Sequence, residues 1–136
     1  MHQKIIVIHT EGRALIDITS RIRDEVRISG VKTGVVNIFI QHTSASLTIQ
    51  ENADPDVRRD LNAFFARLVP DGDSLYRHVD EGPDDMSAHV RTVLTSTSLT
   101  VPVTDMKLGL GTWQAIYVWE HRHAPHRRRL VITVQG

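Results

Sequence analysis

The chain has 136 residues, enough for one domain with a single hydrophobic core. Sixteen Lys and Arg balance sixteen Asp and Glu, so no net field draws the protein to nucleic acid or an anionic membrane. The absence of cysteine excludes disulfides, thiolate metal sites and cysteine nucleophiles and agrees with a cytoplasmic protein, while eight histidines direct attention to metal or acid–base chemistry.

In chain order, Lys4 to Ile8 is a β-branched strand, Glu11 to Arg13 a turn, and Leu15 to Ile18 a second strand. Together they predict an N-terminal hairpin. The Ile5–Ile8 run is too short for a signal peptide, and no run reaches the length of a membrane span. Thr19 has the character of an N-cap. Ile22 and Val26, four apart among charged residues, predict an amphipathic helix over Ser20–Ser29 that ends at Gly30. A strand follows over Val35–Gln41. Asp54, Pro55 and Asp56 mark a second helix start, with Val57, Leu61, Phe64, Phe65 and Leu68 at helical spacing and Pro70 as the stop.

Residues 70–83 have no periodicity and predict a loop. Asp84 or Asp85 caps a third helix, Met86 to Leu94. Thr95 to Val103 is a strand that Pro102 either places at an edge or brings to an end. Trp113 to Glu120 alternates, with Ala115, Tyr117 and Trp119 on one side. His121 to His126 is a hairpin loop, and Arg129 to Gln135 a final strand. The pattern predicts a single α+β domain over 1–136, with a largely antiparallel, sandwich-like sheet core and two or three short helices.

Three polar clusters can carry chemistry. His42, Ser44 and Ser46 lie between a strand and a helix start, followed by Asn52. Hydroxyls and backbone N–H groups there suit phosphate oxygens, or else serve local turns around a buried imidazole. Gly-x-Ser-x-Gly is absent, which argues against a serine nucleophile. His78 to His89 holds two histidines and four carboxylates in twelve residues, a set suited to zinc, iron or manganese, or to a solvated acidic loop before a helix. Gly111-Thr112-Trp113-Gln114 and Glu120-His121-Arg122 form the third. Arg122 beside a strand end suits a bidentate phosphate or carboxylate clamp, and Trp113 and Trp119 suit core or subunit contacts. His123 and His126 read as a hairpin tip, and Arg127-Arg128-Arg129 as a solvated strand start.

Taken together and in order, these blocks resemble the YjbQ family: Gln41-His42-Thr43-Ser44-Ala45-Ser46-Leu47, Glu51-Asn52 with Asp54-Pro55, His78 with Glu81-Gly82 and Asp84 to His89, and Gly111 to Gln114 with Glu120-His121-Arg122. Ser87 stands where the family commonly has proline, and Ala115 where it commonly has glycine. The resemblance implies an α+β homotrimer and a site in which His42, His78 and His89 hold a divalent metal, zinc or magnesium/manganese. It places Ser44, Ser46, Asn52 and Arg122 around a small phosphorylated substrate. It also implies a weak thiamine-phosphate synthase activity, in which an aminopyrimidine diphosphate and a thiazole phosphate give thiamine phosphate and pyrophosphate. On that reading His42, His78, His89 and Arg122 are catalytic. A metal-dependent hydrolase and a non-catalytic metal- or metabolite-binding trimer are the alternatives.

Overall fold

A computed structural model describes residues 1–136. The strands are β1 (His2–Thr10), β2 (Ala14–Asp17), β3 (Thr33–Ile40), β4 (Ala45–Glu51), β5 (Ser98–Thr104), β6 (Lys107–Leu108), β7 (Gln114–Glu120) and β8 (His126–Gln135). The helices are α1 (Thr19–Ser29), α2 (Pro55–Leu68) and α3 (Asp85–Leu94). Five strands form one sheet in the order β1-β8-β3-β5-β6, and three form another in the order β2-β7-β4. Every pairing is antiparallel, as the α+β reading requires.

The period-two rule builds the core. Ile6 and Ile8 of β1, Val36 and Ile38 of β3, and Leu130 and Ile132 of β8 turn inward from the large sheet. They meet Leu47 of β4 and Ile116 and Val118 of β7, with Ile22 and Val26 of α1 in the same cluster. Each such fully buried aliphatic side chain contributes about 1.5–3 kcal/mol. The other face of the small sheet carries α2: Phe65 packs edge-on against Trp119 at 4.7 Å, and Trp119 donates its indole N–H to Asn62 at 3.0 Å.

Local signals set the helix ends. Asp54 caps α2 by accepting from the N–H of Asp56 at 2.9 Å, and Gly30 closes α1 in the left-handed region at φ 70°. Three expectations about the strands need correction. β1 and β2 do not pair with each other: β1 pairs with β8 in one sheet and β2 with β7 in the other. The turn between them crosses from sheet to sheet, and at Gly12 (φ 139°) a β-carbon would lie 3.0 Å from the His123 carbonyl oxygen. Second, 45–51 is a strand and not a loop into a helix, because pairing with β7 along its whole length satisfies its backbone. Third, 121–126 is not a hairpin loop, because β7 and β8 belong to different sheets.

The segments 11–13, 41–44 and 121–125 are three of the connections that cross between the sheets. They touch one another at one end of the sandwich, where the N–H of His121 donates to the Ser44 carbonyl at 3.3 Å and the N–H of Arg129 donates to His42 at 2.8 Å. The loop before α3 and the start of α3 close over this end. Asp71 accepts both arms of the Arg13 guanidinium, at 2.7 and 2.9 Å.

Candidate metal centre

The α3 helix brings Asp85 and His89 onto one face, since residues four apart stack on adjacent turns. The loop ahead of it returns His78 to the same point. His78 Nε2 lies 2.6 Å and His89 Nε2 3.2 Å from the same oxygen, Asp85 Oδ2. The two imidazole nitrogens and the carboxylate oxygen all lie within 4.8 Å of one another. His89 donates its Nδ1–H to the Thr43 carbonyl at 2.9 Å, which aims Nε2 at Asp85 and His78. Two imidazoles and one carboxylate, with one ring nitrogen tied back to backbone, form a donor set that suits a divalent transition metal with open coordination positions once the ion displaces the N–H protons facing Asp85.

Asp85 is buried except for this face. Burial opposes its ionisation, but the hydrogen bond from His78 and the charges of His89 and Arg122 outweigh it and hold the carboxyl below its usual range. Glu81 is exposed and brings a carboxylate oxygen to 4.0 Å from His78 Nε2. A cleft of about 400 Å³ beside the set has His78, Tyr76 and Met86 in its wall, and another of about 530 Å³ has His42, Thr43 and Ser44.

The remaining expected site residues are placed differently. His42 is not among the converging donors: within one chain its Nε2 accepts from the Arg129 N–H, and its Nδ1 lies 3.4 Å from the Arg128 guanidinium. Burial and then the Arg128 charge lower its pKa and keep it neutral. Within the chain, two histidines and Asp85 replace the expected three histidines. Ser44 accepts from Arg128 at 3.0 Å. Ser46 is fully buried, with its hydroxyl 2.8 Å from His121 Nε2, and so presents nothing to a ligand. Asn52 is exposed at the far end of β4, its N–H bonded to the Trp113 carbonyl. Arg122 gives one N–H from each of its three nitrogens to Asp84, Asp85 and the Glu81 carbonyl, so its fork is committed to this loop and helix start.

Two residues escaped the sequence reading. Asp85 was read as a helix cap and as one of four carboxylates in the 78–89 cluster but not singled out as a ligand, and its spacing of four from His89 was the available signal. Arg128, read as part of a solvated basic run, is buried and paired with the fully buried Glu120, which also accepts from Thr10 at 2.6 Å and from the N–H groups of His121 and Arg122. The alternation Arg128, Leu130, Ile132, Val134 would have put it on the core face.

The family model for UPF0047 proteins of the YjbQ type matches residues 3–136. The chain belongs to the YjbQ (UPF0047) family. A YjbQ-family protein of Synechocystis is 54% identical over 135 residues, spanning 99% of this chain and 92% of that protein. YjbQ of Escherichia coli O157:H7 is 40% identical over 136 residues, covering 99% and 98%. Among solved structures, a YjbQ/UPF0047 protein from Clostridium acetobutylicum superposes with a TM-score of 0.85 at 32% identity, over 99% of this chain and 100% of that one. A protein from Aeropyrum pernix K1 reaches 0.90 at 26% identity, over 100% and 99%. The YjbQ fold therefore extends across the chain described above. No helix is long and apolar enough to cross a membrane.

Proposed function

We propose that the chain is a homotrimeric, metal-dependent enzyme acting on a small phosphorylated molecule, with the ion held by His78, Asp85 and His89. The observation that carries this reading is the convergence of two imidazole nitrogens on one oxygen of a buried carboxylate. The nitrogen donors favour zinc or manganese over magnesium, which prefers oxygen ligands throughout. When bound, such an ion polarises a phosphate oxygen or a water. The chain's own residues do the rest: Thr43 fixes the His89 tautomer, Arg122 fixes Asp85, and Glu81 offers a carboxylate at the rim.

For thiamine-phosphate formation, the resemblance supplies the chemistry and the ion would stabilise the leaving diphosphate, since the Arg122 fork is occupied. Hydrolysis is the second reading. It is favoured by the Glu81 carboxylate, 4.0 Å from His78 Nε2, which suits a general base acting on water. The test is metal analysis of the purified protein, then assays with the aminopyrimidine diphosphate and thiazole phosphate pair and with a phosphomonoester panel, with and without chelator. Activity that follows metal content and vanishes in His89→Ala supports the proposal. Full activity in chelator-treated, metal-free protein rejects it. Which substrates turn over separates the two readings.

A further inference from the structure

One guanidinium accounts for the order around the donor set. Arg122 Nε donates to Asp84 Oδ2 at 3.0 Å, Nη1 to Asp85 Oδ1 at 2.7 Å, and Nη2 to the Glu81 carbonyl at 3.0 Å. Its backbone N–H donates to Glu120 Oε2 at 3.1 Å, and the neighbouring His123 N–H donates to Asp84 Oδ2 at 2.9 Å. Glu120 is itself held between the sheets by Arg128 and Thr10. The fork thus stands on a buried anchor in β7 and reaches three residues of a different segment.

The consequence for the carboxylate is specific. A free aspartate can rotate and offer an ion one oxygen or both. With Oδ1 spent on Nη1, Asp85 has only Oδ2 to turn toward His78 and His89, and both imidazoles meet that oxygen. The bond to the Glu81 carbonyl also ties the loop that carries His78 to the same guanidinium. We infer that Arg122 is the positioning residue of the metal centre: it presents Asp85 as a one-oxygen ligand and holds the His78 loop against α3. This rests on the metal reading above and replaces the phosphate-clamp role expected for Arg122. Lysine cannot substitute, because a single ammonium lacks the planar fork that reaches three acceptors lying in separate directions.

The test uses Co(II) as the probe and reads affinity and the visible absorption of the bound ion, with folding followed by circular dichroism. Partners that orient a ligand are typically worth roughly 10–100-fold in metal affinity. Arg122→Lys and Arg122→Ala should each lose affinity in that range and show an altered cobalt band while remaining folded. Methylguanidinium, which fits the space left in Arg122→Ala, should restore part of the affinity and the wild-type band there, and do nothing for Arg122→Lys. A folded Arg122→Lys protein with wild-type cobalt affinity and spectrum would overturn the inference, and it decides the matter if Arg122→Ala does not fold. A lower melting temperature with an unchanged cobalt spectrum would overturn it too, leaving Arg122 a structural clip. Wild-type protein that binds no cobalt, or binds it equally well after His78→Ala and His89→Ala, overturns the metal reading itself and is thereby told apart.

Discussion

Several residues that are costly to bury lie beside the candidate centre and not in it. His121 is fully buried; its Nε2 faces Ser46, its Nδ1 has no partner, and burial and then Arg91 push its pKa down to about 3 from an ordinary 6.5. The unfolded chain takes up a proton that the folded one refuses. Stability therefore declines as pH falls below about 6.5 and goes on declining until about 3. At pH 5 the loss from this residue is about 2 kcal/mol. His42 is lowered in the same direction, whereas Asp71, Asp84, Asp85 and Glu120, all held below their ordinary 3.8 or 4.5, lose their contributions only in more acid solution. His121→Gln keeps an amide for Ser46 and cannot titrate, so urea midpoints between pH 7 and 5 should vary less in this variant. Equal slopes in both proteins would show that His121 is not held neutral. The Glu120–Arg128 pair makes a second prediction. Arg128→Met leaves Glu120 buried and unpaired between the sheets, and breaking such a pair costs about 3–5 kcal/mol. Chemical denaturation should show that loss. A variant within error of wild type would mean that Glu120 is neutral or reaches water.

At the scale of elements, the strands with strong β-branched alternation and the capped helices were legible in the sequence, and their partners were not. Asp54-Pro55 and Gly30 are local devices, and the helix ends they mark are where the structure has them. Pairing is a non-local matter, so β1 and β2, adjacent in sequence and separated by a turn, were assigned to one hairpin although each pairs elsewhere. The strand β4 was missed because Ser46, Thr48 and Gln50 interrupt its apolar residues and suggest a polar loop. In a two-layer fold that interruption is the alternation of a half-buried strand, with Ala45 and Leu47 facing the inter-sheet core. The same gap hid the true position of Ser46. The candidate site was half legible: His78 and His89 were picked out by their acidic neighbourhood, while the shift from His42 to Asp85 depends on what each ring nitrogen touches in three dimensions. The strand assignment has a direct check. Leu47 is fully buried, so Leu47→Ala should cost about 2–5 kcal/mol by denaturant unfolding, as cavities in packed cores do. A cost near zero would return 45–51 to a surface loop.

At the scale of the molecule, the large sheet leaves a side that a lone chain has no means to cover. Ile5 of β1, Val131 of β8 and Phe39 of β3 are in register across three strands, and on that outer face Ile5 is 47% and Phe39 43% exposed. A row of large apolar side chains across the middle of an open sheet favours association, because covering it removes apolar area from water at about 25 cal/mol per Å². The homotrimer proposed above gives that row a use. On this argument wild-type protein should scatter light as a particle of three times the chain mass across micromolar concentrations. Phe39→Glu places a carboxylate in the middle of the row, where association would have to strip it of water without a partner, so this variant should scatter as the monomer. Its outward side chain is not among the residues of the inter-sheet core, so the variant should keep the wild-type circular dichroism spectrum. A wild-type monomer at every concentration would reject the trimer. A Phe39→Glu protein that still assembles would place the contact on another face and leave this row solvated.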